Sequence, residues 1–428
     1  MVYTEIPTSV QKLMNTITEK CETYPRWAEN FNACFANTLL TTVNRHQDGT
    51  TFVLTGDIPA MWLRDSTAQV RPYLVVAKED NDIGDMIAGL VEKQLSYINL
   101  DPYANAFNEE ANNAGHQDDH TKMNPWIWER KYEIDSLCYP LQLSYLLWKA
   151  TGRTEQFNQT FDEAIKNVLE VWETEQNHEQ SDYQFVRDTT REEDTLVREG
   201  QGSPIAVTGM TWSGFRPSDD RCIYHYLVPS NMFAVVVLDY LKEIYTDILK
   251  EETLVPRIEK LRAEIQTGIE KYALVKNKAG ETIYAYEVDG LGNYSIMDDS
   301  NVPNLIAAPY LGYCSKEEET YLATRKTLLS KENPFYYEGE FAKGIGSSHT
   351  PENYVWPIAM AMEGLTTNDK ATKERILNTL VATDAGTNLM HEGFDVNNPD
   401  NYTREWFSWA NMMFCELVMD YFDIKIEK

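Results

Sequence analysis

No two of the six cysteines stand at CxxC spacing: Cys21, Cys34, Cys138, Cys222, Cys314 and Cys415 are scattered, mostly among apolar residues. This predicts buried free thiols in a reducing cytoplasm and offers no zinc site, which needs paired ligand spacing. The first residues, Met1-Val-Tyr-Thr-Glu-Ile, lack the basic and apolar regions of a secretion signal. No run of about 18 apolar residues occurs, so no membrane span is expected. Positive charge is scarce: 38 Lys and Arg against 67 Asp and Glu leave a net charge of −29. Such a surface repels phosphate backbones and anionic lipid, which argues against nucleic acid and membrane as partners and is compatible with a neutral or cationic ligand. There is no GxSxG elbow, and Cys222, close to Asp220, is disfavoured as a thiolate. Fixed-length repeats are absent, which argues against a solenoid of similar units. Strands do not alternate with helices, which disfavours a parallel α/β sheet. A length of 428 residues suggests roughly three domains at about 150 residues each. With no Pro/Gly/Ser-rich linker and no low-complexity tract, a single domain over residues 1–428 with inserted loops is the better expectation.

What is present is a large apolar and aromatic content: 43% hydrophobic, with 10 Trp and 25 Tyr. That supplies a sizeable core and leaves rings to line a cleft. Helical periodicity dominates. Phe157, Phe161, Ile165, Val168 and Trp172 fall 4, 4, 3 and 4 residues apart, on one helical face. Helices are predicted near 8–21, 25–42, 66–78, 82–98, 133–150, 154–176, 229–248, 253–272, 317–330, 353–365, 370–383 and 404–423. Strand signals are short: Thr50–Leu54, and a hairpin over Ile283–Tyr294 turning at Asp289–Gly292. A dozen helices predict an all-α fold in which six inner and six outer helices close into a toroid, an (α/α)6 barrel, with long loops and a few short β-strands. Long polar, aromatic-rich loops over 55–66, 101–129, 185–220, 294–303, 334–350 and 391–403 point to function, because such loops are uncommon in compact domains otherwise.

The densest of these is Met210-Thr-Trp-Ser-Gly-Phe-Arg-Pro-Ser-Asp-Asp-Arg221, which leads into the apolar run Met232–Leu238. Aromatic faces stack on sugar C–H surfaces, and carboxylates and guanidinium groups bond to hydroxyls. A second cluster, Trp62, Arg64 and Asp65, has the parts of a sugar clamp, although Asp65 or Ser66 also suits a helix N-cap. A third is His391-Glu-Gly-Phe-Asp395, where Glu392 lies near aromatics outside a regular element. Glycoside cleavage generally takes two carboxyl groups: one protonated donor, and one that activates water at about 6.5–9.5 Å separation with inversion, or attacks directly at about 5–5.5 Å with retention. The chain offers carboxylates on loops far apart in sequence. Asp219 and Asp220 equally suit a solvated or capping role, and Glu392 a surface one. Asp298, Asp299 and Asn301 loosely resemble the start of a calcium loop but lack its glycine and final acid. His116 and His120 have no matched ligand set, and His349 suits a structural as well as a binding role, so no metal is expected.

Gly56-Asp-Ile-Pro-Ala-Met-Trp-Leu-Arg-Asp-Ser66, Gly209–Asp220, Met297-Asp-Asp-Ser-Asn-Val-Pro303, Gly346-Ser-Ser-His-Thr350 and Arg404-Glu-Trp-Phe-Ser-Trp-Ala-Asn411 together resemble glycoside hydrolase family 125, in order, from near residue 25 to the C-terminus. The resemblance implies an exo-acting α-1,6-mannosidase with an (α/α)6 barrel and an inverting, metal-independent mechanism, acting on mannose-containing oligosaccharides in carbohydrate metabolism such as N-glycan degradation. Carried over by motif, it makes Asp219 the general acid, a single-residue slip from Asp220, and Glu392 the general base. Trp62, Arg64, Asp65, Trp212, Arg216, Asp299 and His349 become substrate-binding candidates. Gly393 departs from the serine expected in some relatives. The competing readings are another sugar hydrolase or epimerase on the same scaffold, and a non-catalytic sugar-binding protein.

Overall fold

Helices form where the periodicity places them. The computed structural model describes residues 2–426, and all twelve expected helices occur among them. The differences lie at the ends and have local causes. The helix expected from 154 begins as Gln159–Thr174, because the Asn158 side chain accepts the Phe161 N–H at 3.1 Å and caps it there. That expected from 353 begins at Pro357, whose fixed φ and missing N–H suit a first helical position. The segment near 66–78 is broken: Leu63–Val70 gives way to a tight turn at Arg71–Tyr73, where Pro72 lacks a donor, and then to Leu74–Ala77.

Strands are more numerous than expected, fifteen among the described residues, each of two to six residues. Thr51–Val53 pairs with Val43–Arg45. The predicted hairpin over Ile283–Tyr294 forms only in its second half. Glu287–Val288 pairs with Tyr294–Ser295 around the Asp289 turn, while Thr282–Tyr284 pairs back onto Leu274–Lys276.

Internal contacts group the chain into two compact units. The first comprises Met1–Gln94, Leu143–Gln156 and Tyr336–Lys428. Its centre is the helix Ser408–Tyr421, buried almost all round, with Pro25–Thr41, Leu63–Val70, Pro357–Leu365 and Lys370–Ala382 packed on it. Two polar side chains of that helix are paired with other segments: Ser408 and Thr38 hydroxyls meet at 2.6 Å, and Asn411 accepts the Met390 N–H at 2.8 Å. The second unit comprises Leu95–Gln142 and Phe157–Phe335. There the buried helix Val228–Glu243 packs against Val255–Tyr272 and Ala308–Leu311. No helix among the described residues is long and apolar enough to cross a membrane.

Candidate active site

In the second unit, the loop singled out by sequence is tied to that buried helix. Asn231 accepts the Thr211 N–H at 2.9 Å and donates to the Thr211 carbonyl at 3.0 Å. The Gly214 and Phe215 N–H groups both donate to the Tyr132 carbonyl at 3.1 Å, and Phe215 pairs with Arg221 across a tight turn. Within the turn, the Arg216 N–H donates to the Asp220 carbonyl at 2.7 Å and the Asp219 N–H to the Arg216 carbonyl at 2.9 Å. Closing this loop puts Asp219 at φ +65°, a left-handed conformation that non-glycine residues seldom adopt and that often marks functional sites.

The adjacent aspartates have different surroundings. Asp220 has no exposed surface, and its carboxylate oxygens lie 2.9 and 3.0 Å from Arg191 Nη2. Asp219 is partly exposed, and its Oδ1 accepts from Asn105 Nδ2 at 3.2 Å. Behind it lies a buried charged network. Glu129 is 2.9 Å from Arg187 and 3.7 Å from Lys131, and Lys131 Nζ donates to the Asp219 carbonyl at 2.8 Å. Burial alone would raise the Glu129 carboxyl, but the adjoining Lys131 and Arg187 cations bring it down to about 2.

Three substrate-binding candidates in this unit sit deeper than expected. Trp212 has no exposed surface: the His178 ring stacks on it at 3.5 Å and the His225 ring at 4.7 Å. A ring so covered braces the loop instead of presenting a face to a sugar. Asp299 is also without exposed surface and accepts the Asn301 N–H at 3.0 Å. The Arg216 Nε is bound to fully buried Glu287 at 2.6 Å. Asp298, next to Asp299, accepts the Leu305 and Ile306 N–H groups at 2.8 and 3.0 Å, so the calcium-like spacing closes a loop. These side chains read as exposed in sequence because they are polar and lie in a loop; their partners come from distant segments.

His225 beneath Trp212 is neutral. Its Nδ1–H donates to the Ser213 carbonyl at 2.8 Å, and Nε2 accepts the Ser203 N–H at 2.9 Å. Burial lowers it from 6.5 to about 4. The unfolded chain therefore binds the extra proton first, so stability falls as pH drops from 6.5 towards 4 and is fully present above 6.5. The expected loss is about 2 kcal/mol between pH 6.5 and about pH 5. Thermal unfolding at the two pH values checks it: the pH-dependent drop in Tm should shrink in His225→Gln.

In the first unit, strand Met61–Trp62 runs into the helix Leu63–Val70 and places Asp65 in its first turn, where the helix dipole favours a carboxylate. Arg64 Nε lies 3.4 Å from Asp65 Oδ1, and its guanidinium sits 5.6 Å over the Trp409 ring. Trp62 is buried, with its indole N–H making no hydrogen bond within the protein. Glu392 stands just before strand Gly393–Asp395, its N–H donating to the Thr403 carbonyl at 3.2 Å. Its Oε1 is 3.7 Å from Arg404 Nη1. Arg404, at φ +50°, also binds Asp57 at 2.5 Å and Thr55 at 2.8 Å. The preceding His391 ring stacks on Tyr402 at 3.8 Å. At Gly393 a Cβ would meet Trp356 Nε1 at 3.0 Å, so glycine suits this chain where a serine would press on the indole. His349 is partly exposed, edge-on to Trp356 at 6.3 Å.

Sequence reasoning assigned no role to Asn105, Glu129, Lys131 or Arg191, and none to Arg404 beyond its motif. Only Arg404 carried a local signal, its place in that motif. Among the described residues no group of three His, Cys, Asp or Glu side chains is arranged to hold a metal; His116 lies 3.8 Å from Glu129 and His120 3.2 Å from Asp188.

Comparison with solved structures defines the class first. A bacterial glucoamylase complexed with acarbose superposes with a TM-score of 0.59 at 12% identity, over 97% of this chain and 58% of that one. The fold is thus the all-α (α/α)6 class, 48% helix and 12% strand. The family described as metal-independent alpha-mannosidase (GH125) matches residues 24–419, and the chain belongs to this glycoside hydrolase family. A Streptococcus pneumoniae metal-independent α-mannosidase, solved in a non-productive complex with α-1,6-mannobiose, is 59% identical, with a TM-score of 0.97 over 99% of this chain and 100% of that one. The meiotically up-regulated gene 157 protein of Schizosaccharomyces pombe is 36% identical over 97% of this chain and 86% of its own length. The chain is accordingly an α-mannosidase.

Proposed function

We propose that residues 1–428 form one catalytic domain that removes non-reducing terminal α-1,6-linked mannose from oligosaccharides with inversion of configuration. Asp219 is the general acid and protonates the departing glycosidic oxygen. Glu392 is the general base and takes a proton from the attacking water, which adds to the anomeric carbon on the face opposite the leaving group and gives β-mannose. Trp62, Arg64, Asp65 and His349 bind the terminal mannose, while Trp212, Arg216 and Asp299 brace the acid's surroundings.

The observation that carries the acid assignment is the contrast between neighbours: Asp220 is buried on Arg191, whereas Asp219 is accessible at the tip of a strained turn. The linkage is supported by the 59% identical relative solved with α-1,6-mannobiose. The family description supports hydrolysis without a metal. Six free cysteines, five of them buried, suit a cytoplasmic setting.

A proton NMR time course on α-1,6-mannobiose tests the stereochemistry. β-Mannose should appear first and mutarotate towards the α anomer; α-mannose as the first product would mean retention and overturn the proposed roles.

A further inference from the structure

Asn105 lies immediately before strand Ala106–Phe107, and the pairing of Ala106 with Glu129 sets it beside that carboxylate. It has no exposed surface, and all three polar positions of its amide are used. Its Oδ1 accepts the Lys131 backbone N–H at 3.1 Å. Its Nδ2 donates to Glu129 Oε2 at 3.0 Å and to Asp219 Oδ1 at 3.2 Å. This fixes the orientation of the amide: a backbone N–H can face only an acceptor, and the ionised Glu129 only a donor. Lys131 therefore holds both ends of the arrangement, the Asn105 carbonyl through its N–H and the Asp219 carbonyl through Nζ.

We infer that Asn105 is a positioning residue for the acid: its amide holds Oδ1 of Asp219 as the accepting, carbonyl-type oxygen, so that the transferable proton is carried on Oδ2. The inference rests on the proposed role of Asp219. In the step it serves, the Oδ2–H bond breaks as the glycosidic oxygen takes the proton, the C–O bond electrons pass to that oxygen, and Asp219 is left as a carboxylate. Asn105 then donates to a full negative charge, and a hydrogen bond to a charged acceptor is the stronger one. The amide thus favours the carboxylate that proton transfer creates. It also separates that charge from Glu129, which is already ionised.

The test compares substrates that differ in their need for an acid. α-1,6-Mannobiose has a sugar alcohol as leaving group and needs protonation; 2,4-dinitrophenyl α-mannoside releases a phenolate that does not. For Asn105→Ala, kcat on the disaccharide should fall about 10²-fold with KM nearly unchanged, and kcat on the aryl mannoside should stay within about threefold. Equal losses on both substrates, or no loss on the disaccharide, would overturn the inference, because a merely structural role lowers both together. Should the alanine variant not fold, Asn105→Ser, which keeps a small donor, is read by the same split. Asp219→Asn separates the two levels. A split there without one at Asn105 refutes only the positioning role, whereas equal losses in Asp219→Asn refute the acid assignment itself.

Discussion

Glu392→Gln is expected to lose about 10³-fold or more in kcat on α-1,6-mannobiose while keeping mannose affinity within a few-fold. The substitution preserves volume and hydrogen-bonding reach but removes the group proposed to take the proton from water. Glu392 sits beside strand Gly393–Asp395 with its N–H on the Thr403 carbonyl, so its backbone is held by the sheet and not by the carboxylate. What changes locally is the pairing with Arg404, whose other contacts to Asp57 and Thr55 remain to hold it. Thermal stability should therefore stay near that of the unaltered protein. Steady-state kinetics with mannose titration calorimetry checks both parts, and turnover close to the unaltered enzyme would remove Glu392 from the mechanism.

The second large effect is expected at the aspartate pair, where neighbours should behave in opposite ways. Asp219→Asn should cost about 10²–10⁴-fold in kcat on the disaccharide. Asparagine tolerates the left-handed conformation and still offers Oδ1 to Asn105, so the turn survives and the loss is chemical. Asp220→Asn should do the reverse. It weakens the ion pair of a fully buried carboxylate with half-exposed Arg191, an effect of about 2 kcal/mol on stability, and leaves kcat per folded molecule nearly intact. Unfolding curves and kinetics on the same preparations separate the two, and a Tm-neutral, inactive Asp220→Asn would move the acid one residue along.

The helices were legible because burial imposes a period on the chain: the stripe from Phe161 to Trp172 is buried as its spacing requires. Most strands were not, since pairs such as Ala106–Phe107 or Tyr294–Ser295 are too short to display an alternation. Motifs pointed to Asp219 and Glu392 as candidates but said nothing of their surroundings. Asn105, Glu129–Lys131, Arg187 and Arg191 reach the Asp219 turn from segments up to 114 residues away, and no local pattern encodes such a meeting. Trp212 is a like case: an indole in a polar loop reads as a sugar platform, and no local pattern reveals that His178 and His225 stack on it.

The left-handed backbone at Asp219 and at Arg404 has a bearing on laboratory evolution. Glycine would relieve torsional discomfort at either position, so selection for heat resistance alone would drift towards it and discard the proposed proton donor and the partner of Glu392. Screens for hardier variants of this enzyme therefore have to score sugar release in every round, because the cheapest gains in robustness lie where the chemistry is proposed to happen.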